Sequence, residues 1–148
     1  LDPGPLDLPG PTGESNRYRL EPRGWLLALG PGEALLDQVI QALAAGNRVL
    51  AVAPDAKAHL APLAESEFPL VCLDGALDAA VLAEGAVDVV AYAGEKLAPF
   101  RCALAGRPGP IVPLITERLL PAAYAQERAI CIDTTAAGGN TALLAGNA

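Results

Sequence analysis

A chain of 148 residues, 52% apolar and 18% charged, is long enough for one domain burying roughly 70% of its unfolded surface. Its formal charge of −7 argues against nucleic acid, which needs a basic surface, and no apolar run approaches the roughly 20 residues of a membrane span. Cys72, Cys102 and Cys131, odd in number and without a CxxC pair, suggest neither a disulfide framework nor a metal site and fit a reducing cytosol.

The chain starts in LDPGPLDLPGPTGES, a proline- and glycine-rich stretch that reads as a linker or extended arm over residues 1–16. No signal peptide opens it and no methionine occurs, so the expectation is a piece of a larger polypeptide. Arg17–Glu21 alternates polar and apolar residues as a half-exposed strand does, and Pro22 and Gly24 end it. Trp25–Leu29 is a continuous apolar run suited to a buried parallel strand, turned by Gly30-Pro31-Gly32.

From Glu33 to Ala45, Leu35, Leu36, Val39, Ile40 and Leu43 form one stripe of helical period, with Asp37, Gln38 and Gln41 placed elsewhere. Gly46 and Asn47 stop this helix, and Arg48–Ala53 is a second buried strand. Asp55 is placed to cap a helix that Pro62 interrupts. Strand Leu70–Leu73, a helix around Ala76–Ala83, strand Val87–Tyr92, a helix carrying Leu97, Phe100 and Leu104, and strand Ile111–Ile115 repeat the pattern.

Alternating strands and helices predict an α/β, Rossmann-like three-layer domain with about five mostly parallel strands. Glu127–Asp133 is strand-like with no helix after it, so it is expected to pair with Arg17–Glu21 as an antiparallel β-ribbon, or flap. The organisation is then an arm over 1–16, a degenerate Rossmann domain with flap over 17–133, and an interaction tail over 134–148.

The first strand-to-helix turn of such a fold is where a dinucleotide pyrophosphate would sit. Here Gly30-Pro31-Gly32-Glu33 lacks a third glycine, Pro31 removes a donor, and Glu33 brings negative charge to the phosphate position. His59, the single histidine, has no nucleophile placed beside it and reads as solvated. The cysteines read as small core residues, with Cys72 and Cys131 in strands. Glu65, Glu67, Asp74, Asp78, Glu84 and Asp88 are spread over separate elements as a solvated acidic face. Arg17, Arg19, Arg23, Arg118 and Arg128 can pair with acids of a partner or within the chain.

The tail, Thr134–Ala148, costs about 1–2 kcal/mol per residue to order. Burial of Leu143 and Leu144 returns only about 3–6 kcal/mol. It is therefore expected to need another surface, with Gly138 and Gly139 allowing close backbone approach, Asn140 hydrogen-bonding and the leucines anchoring.

Two stretches resemble the cofactor domain of the aldehyde dehydrogenase superfamily. Leu43–Ala56 (LAAGNRVLAVAPDA) is similar to its second strand, where a helix ending in ALAAGN leads into a strand closing on Lys-Pro. Ala53 stands where that family has the lysine contacting the adenosine ribose of NAD. Val87–Glu95 (VDVVAYAGE) is similar to the family's VD-x-(V/I)-x-F-T-G-S turn, with Gly94 retained and Glu95 in place of the serine that opens the pyrophosphate-binding helix. The family's catalytic cysteine and general-base glutamate have no counterpart. Leu8–Gly24 and Glu127–Gly146 look like the flanks of the C-terminal domain of the proline utilization A flavoenzymes.

That resemblance implies a noncatalytic domain without its own cofactor, while the parent enzyme, a proline and Δ1-pyrroline-5-carboxylate dehydrogenase, uses FAD and NAD. It implies that flap and tail pack on the dehydrogenase module of the same or a neighbouring polypeptide and help enclose the substrate channel. The implied contact residues are Tyr18, Arg19, Leu20, Ile130, Ile132, Thr134, Thr135, Gly138, Gly139, Asn140, Leu143 and Leu144. The implied setting is the bacterial cytoplasm, with peripheral membrane association open for the parent and a homodimer open for the isolated chain. No cofactor binding is expected at the degenerate positions Gly30, Gly32, Ala53, Gly94 and Glu95; the alternative is a retained nucleotide-binding or regulatory, NAD-sensing module.

Overall fold

The computed structural model describes residues 4–63 and 66–133. In chain order the strands are β1 (Leu6–Leu8), β2 (Glu14–Pro22), β3 (Trp25–Ala28), β4 (Arg48–Ala53), β5 (Leu70–Asp74), β6 (Val89–Ala91), β7 (Leu114–Ile115) and β8 (Ala125–Asp133). The helices are α1 (Ala34–Ala44), α2 (Ala56–His59) and α3 (Leu97–Ala105), with 3-10 turns at Ala61–Leu63, Ala79–Ala83 and Pro121–Tyr124. Pro22–Gln126 forms one compact unit, and the described residues before and after it form a second.

The larger unit is built on a five-stranded sheet in the order β5-β4-β3-β6-β7, with every neighbouring pair parallel. Alternation along each strand divides its side chains between two cores. Leu26, Ala28, Val49, Ala51, Ala53, Val89, Ala91 and Ile115 face α1 and α2, packing on Leu35, Val39, Ala42, Leu60 and Tyr124. Leu27, Leu29 and Val90 face the other way, onto Leu82 and Leu104. The expected three-layer architecture is present, with both faces of the sheet covered.

Helix α1 is rotated from the face its apolar stripe predicts. Ile40 is 49% exposed, whereas Gln38 and Gln41 are buried. Their amides have backbone partners that compensate for leaving water: Gln38 bonds both polar groups of Gly30, and Gln41 bonds Arg118 and Leu120. Gly46, at φ +82°, and Asn47 end the helix as expected, with their amides returning to Leu43 O and Ala42 O.

Asn47 does more than terminate a helix. It is 1% exposed, and its Oδ1 accepts from Arg23 N at 2.8 Å and Gly24 N at 3.1 Å. Its Nδ2 donates to Ala42 O at 3.0 Å and Tyr124 O at 2.8 Å.

Other expectations shift locally. Asp55 does not cap α2: it sits at φ +56° with no side-chain bond there, and Asp74 Oδ1 instead accepts from Lys57 N at 2.9 Å. The helix expected around Ala76–Ala83 contracts to the turn Ala79–Ala83, capped where Asp78 Oδ1 accepts from Ala80 N. Strands β6 and β7 are shorter than the apolar runs around them, which end in turns. Cys131 and Cys102 are exposed and Cys72 half-buried, so the expectation of core cysteines fails for two of the three. Burial, and then the Asp74 charge, raises the Cys72 thiol pKa and keeps it protonated. His59 is half-buried rather than fully solvated.

In the smaller unit β1 runs antiparallel to β2, with Leu6 opposite Tyr18 and Leu8 opposite Asn16, and β8 pairs with the other edge of β2. The expected two-stranded flap is thus a three-stranded sheet, and its paired strands extend beyond 17–21 and 127–133. The arm is not wholly an extended linker, because a turn with Glu14 N donating to Pro11 O at 3.0 Å folds Leu6–Leu8 back onto β2.

Replacing Asn47 by alanine leaves the part-buried Arg23 and Gly24 amides and the Tyr124 carbonyl without this partner, so a loss of roughly 2–4 kcal/mol is expected in urea unfolding. Tyr124 provides a pH test, because its fully buried hydroxyl has no hydrogen-bond partner among the described residues. Burial, helped by the Asp37 charge, pushes its pKa from 10.0 up to about 12. The unfolded chain therefore releases this proton first, and stability should fall as pH rises from 10 to about 12. Tyr124→Phe should remove that part of the decline in denaturation midpoints measured across the window.

Candidate functional site: the crevice at the switch point

Chain order runs outward from β3 through β4 to β5, and from β6 to β7 in the opposite direction, so the topology reverses between β3 and β6. In parallel sheets a ligand crevice opens outside the strand ends at this reversal. The turn after β3 (Leu29–Glu33) and the turn after β6 (Tyr92–Lys96) meet there, where Ala93 N donates to Gly30 O at 2.8 Å. Ala53 joins them at the end of β4, its Cβ 3.7 Å from where a Cβ on Gly30 would lie. Gly30 and Ala53 thus lie side by side, with Ala93, next to Gly94, bonded to Gly30.

Two backbone amides of these turns, those of Gly30 and Ala93, are engaged within the fold. Gly30 N donates to Gln38 Oε1 at 2.9 Å, and Gln38 Nε2 returns a bond to Gly30 O at 3.1 Å. Gly30 is buried at φ +69°, a conformation suited to glycine, and this closed ring of bonds holds it there. Tyr92 lies against Gly94 so closely that a Cβ at Gly94 would collide with its ring. The Tyr92 and Phe100 rings stack at 4.5 Å between centroids, tilted by 38°.

Charge at the crevice is mixed, with two carboxylates against Lys96. Glu33 and Glu95 are exposed at the starts of α1 and α3, where carboxylates suit the helix dipole but repel an anion. Arg118 does not compensate freely, since it pairs with Asp37 and lies 3.5 Å from Glu33. The Asp37 hydrogen bond, then its charge, raises the Arg118 pKa. Ala53 is buried and contributes no polar atom from its side chain. What stays open is a cleft of about 210 Å³ lined by Pro31, Val52, Pro54, Leu77, Tyr92 and Phe100. Among the described residues, no group of three His, Cys, Asp or Glu side chains could hold a metal ion, and no helix is long and apolar enough to cross a membrane.

The flap residues lie in the smaller unit. Arg19 pairs with Glu21 at 2.5 Å, Arg128 with the same carboxylate at 2.7 Å, and Arg17 with Asp7 at 3.5 Å. The Tyr18 hydroxyl bonds Glu127, which raises its pKa. Leu20 is half-buried, while Ile130 and Ile132 are exposed. These arginines pair within the chain, as does Arg118, while Arg23 Nε donates to Ala123 O at 2.6 Å. Thr134, Thr135, Gly138, Gly139, Asn140, Leu143 and Leu144 lie outside the described residues.

Sequence reasoning missed Gln38, Gln41 and Asn47. The one available signal was two glutamines next to the apolar stripe of α1, where a solvent-facing helix surface more often carries charge.

No family model matches the chain. It is 34% identical over 155 aligned positions to the Bifunctional protein PutA of Rhizobium meliloti, covering 95% of this chain and 12% of that protein. Among solved structures it is similar to an aldehyde dehydrogenase from Brucella melitensis biovar abortus 2308, with TM-score 0.61 and 21% identity over 75% of this chain and 26% of that one. A NAD-dependent benzaldehyde dehydrogenase from Corynebacterium glutamicum gives TM-score 0.56 and 18% identity over 76% and 28%. The chain shares the fold of about a quarter of these aldehyde dehydrogenases.

Gln38→Leu should expose the role of the Gly30 ring. Leaving a buried N–H unpaired is expected to cost roughly 1–3 kcal/mol and to speed hydrogen exchange at the Gly30 amide. Unchanged exchange at that amide would remove Gln38 from the account.

Proposed function

We propose that this chain, related over nearly its whole length to one segment of a PutA protein, is a noncatalytic structural domain. In this reading it supports a glutamate-semialdehyde dehydrogenase module and helps enclose the passage by which an intermediate moves between the two activities of the parent. The observation that carries the noncatalytic part is the switch-point crevice. Gly30 N is bound by Gln38, Ala93 N by Gly30 O, and Glu33 and Glu95 are exposed beside the starts of α1 and α3. A dinucleotide would have to break internal bonds and approach two carboxylates.

The structural part rests on the flap. Its described cations pair with acids of the same unit, while Leu6, Leu8, Ile130 and Ile132 are 40–50% exposed. Such a surface suits apolar contact with a dehydrogenase module of the same or a neighbouring polypeptide. The whole parent enzyme holds FAD and NAD in this reading, and the domain itself holds neither. The cytoplasm is the proposed compartment, and a homodimer of the isolated chain would use the same surface.

A second reading, a nucleotide-sensing module, has one observation in its favour: the apolar cleft beside Tyr92 and Phe100 has room for a flat ring. Calorimetric titration with NAD separates the two. No saturable heat is expected, either for the chain or for Glu95→Ser, because Gln38 still engages the Gly30 amide; micromolar binding would favour the sensor. Removing the corresponding segment from a PutA enzyme should lower coupled proline-to-glutamate flux, and unchanged flux and assembly would end the structural reading.

A further inference from the structure

Most of the chain's ten lysines and arginines have evident partners. Arg17, Arg19, Lys57, Arg118 and Arg128 meet carboxylates, Arg23 meets the Ala123 carbonyl, and Arg48 lies 5.7 Å over the Trp25 ring. Lys96, Arg101 and Arg107 have no ion-pair partner among the described residues. All three lie on α3 or within two residues of its ends. In a chain of net charge −7, this grouping gives one helix a local excess of positive charge.

Arg107 is the least satisfied of the three. Its Nη1 donates to Leu82 O, while its Nε is buried without an acceptor. Nε has no accessible surface, so what favours an anion is the guanidinium's charge, which meets no carboxylate among the described residues. Arg107 borders two clefts. The one of about 330 Å³ also carries Asp88, which disfavours an anion. The other, about 250 Å³, lies between α3 and the segment leading into β7; it has Arg101 as a second cation and no carboxylate in its lining.

The remaining walls of that second cleft are largely apolar, with Leu104, Ile111, Val112 and Leu114 among them. Ile111 is 94% exposed, so an apolar ligand body would cover a side chain that now faces water. We propose that this cleft binds a small amphiphilic organic anion, its carboxylate held by Arg101 and Arg107 and its apolar body lying on Ile111, Val112 and Leu114. A pocket of this size suits a ligand of about ten heavy atoms rather than a dinucleotide.

Octanoate is the probe. Titrated into the 148-residue chain and followed by methyl NMR, it should shift Leu104, Ile111, Val112 and Leu114 saturably at about millimolar concentration. Octylammonium, with the same tail and opposite charge, should leave those methyls in place. Arg101→Gln should weaken octanoate roughly 3-fold, and Arg107→Gln by about 10-fold or more. Because Arg107 also holds the Leu82 carbonyl, the dispersed methyl spectrum of that variant must first show that it folds; if it does not, Arg101→Gln and the octylammonium comparison decide. No saturable shift with octanoate, equal binding of octylammonium, or undiminished octanoate binding by Arg101→Gln overturns the proposal. None of these outcomes depends on whether NAD binds beside Tyr92.

Discussion

Asn47 holds together pieces of backbone that are far apart in sequence. A carboxamide offers two donors and one oxygen that can accept twice, and at this buried position every one of those bonds is made. The oxygen receives the amides that lead into β3; the nitrogen reaches the last turn of α1 and the carbonyl just before β8. The entry to the first parallel strand, the exit of the first helix and the return of the chain are thus referred to one side chain. An aspartate at this place would keep the acceptor but lose both donors and bury a charge.

The same economy explains the crevice. In a dinucleotide-binding fold the turn after the first strand keeps backbone amides available for a phosphate. Here Gln38, one turn along α1, closes on Gly30 from inside the domain and satisfies the turn without a ligand. Gln41, nearly one turn further, does the same for the segment around Arg118 and Leu120. Helix α1 therefore turns a polar side chain toward each neighbouring loop, and its burial of glutamines and its exposure of Ile40 are two sides of one rotation.

Charge is arranged differently in the two units. In the flap, a shared glutamate between Arg19 and Arg128 and the Arg17–Asp7 pair leave apolar side chains as the distinctive exposed feature. In the Rossmann unit the cations without an ion-pair partner among the described residues, Lys96, Arg101 and Arg107, lie on α3 or within two residues of its ends. Solvent screens such exposed pairs strongly, so their value lies in which surfaces they leave neutral or charged more than in stability.

Periodicity alone located the parallel strands β3, β4 and β5 and helices α1 and α3, because continuous apolar runs and a 3.6-residue stripe report local geometry directly. The turn after β3 was legible too, since Pro31 and its flanking glycines act at the positions they occupy. Folding of Leu6–Leu8 onto β2 was not legible: three residues have no period of their own, and their partner lies across a turn. Nor were the buried roles of Gln38, Gln41 and Asn47, or the exposure of Cys131. A polar side chain becomes interior only when distant backbone supplies its hydrogen bonds, and a small apolar one stays outside when no layer covers it. The sequence by itself determined the α/β alternation; only the tertiary structure decided which polar groups bond the Gly30 turn, because their partners are brought together by folding.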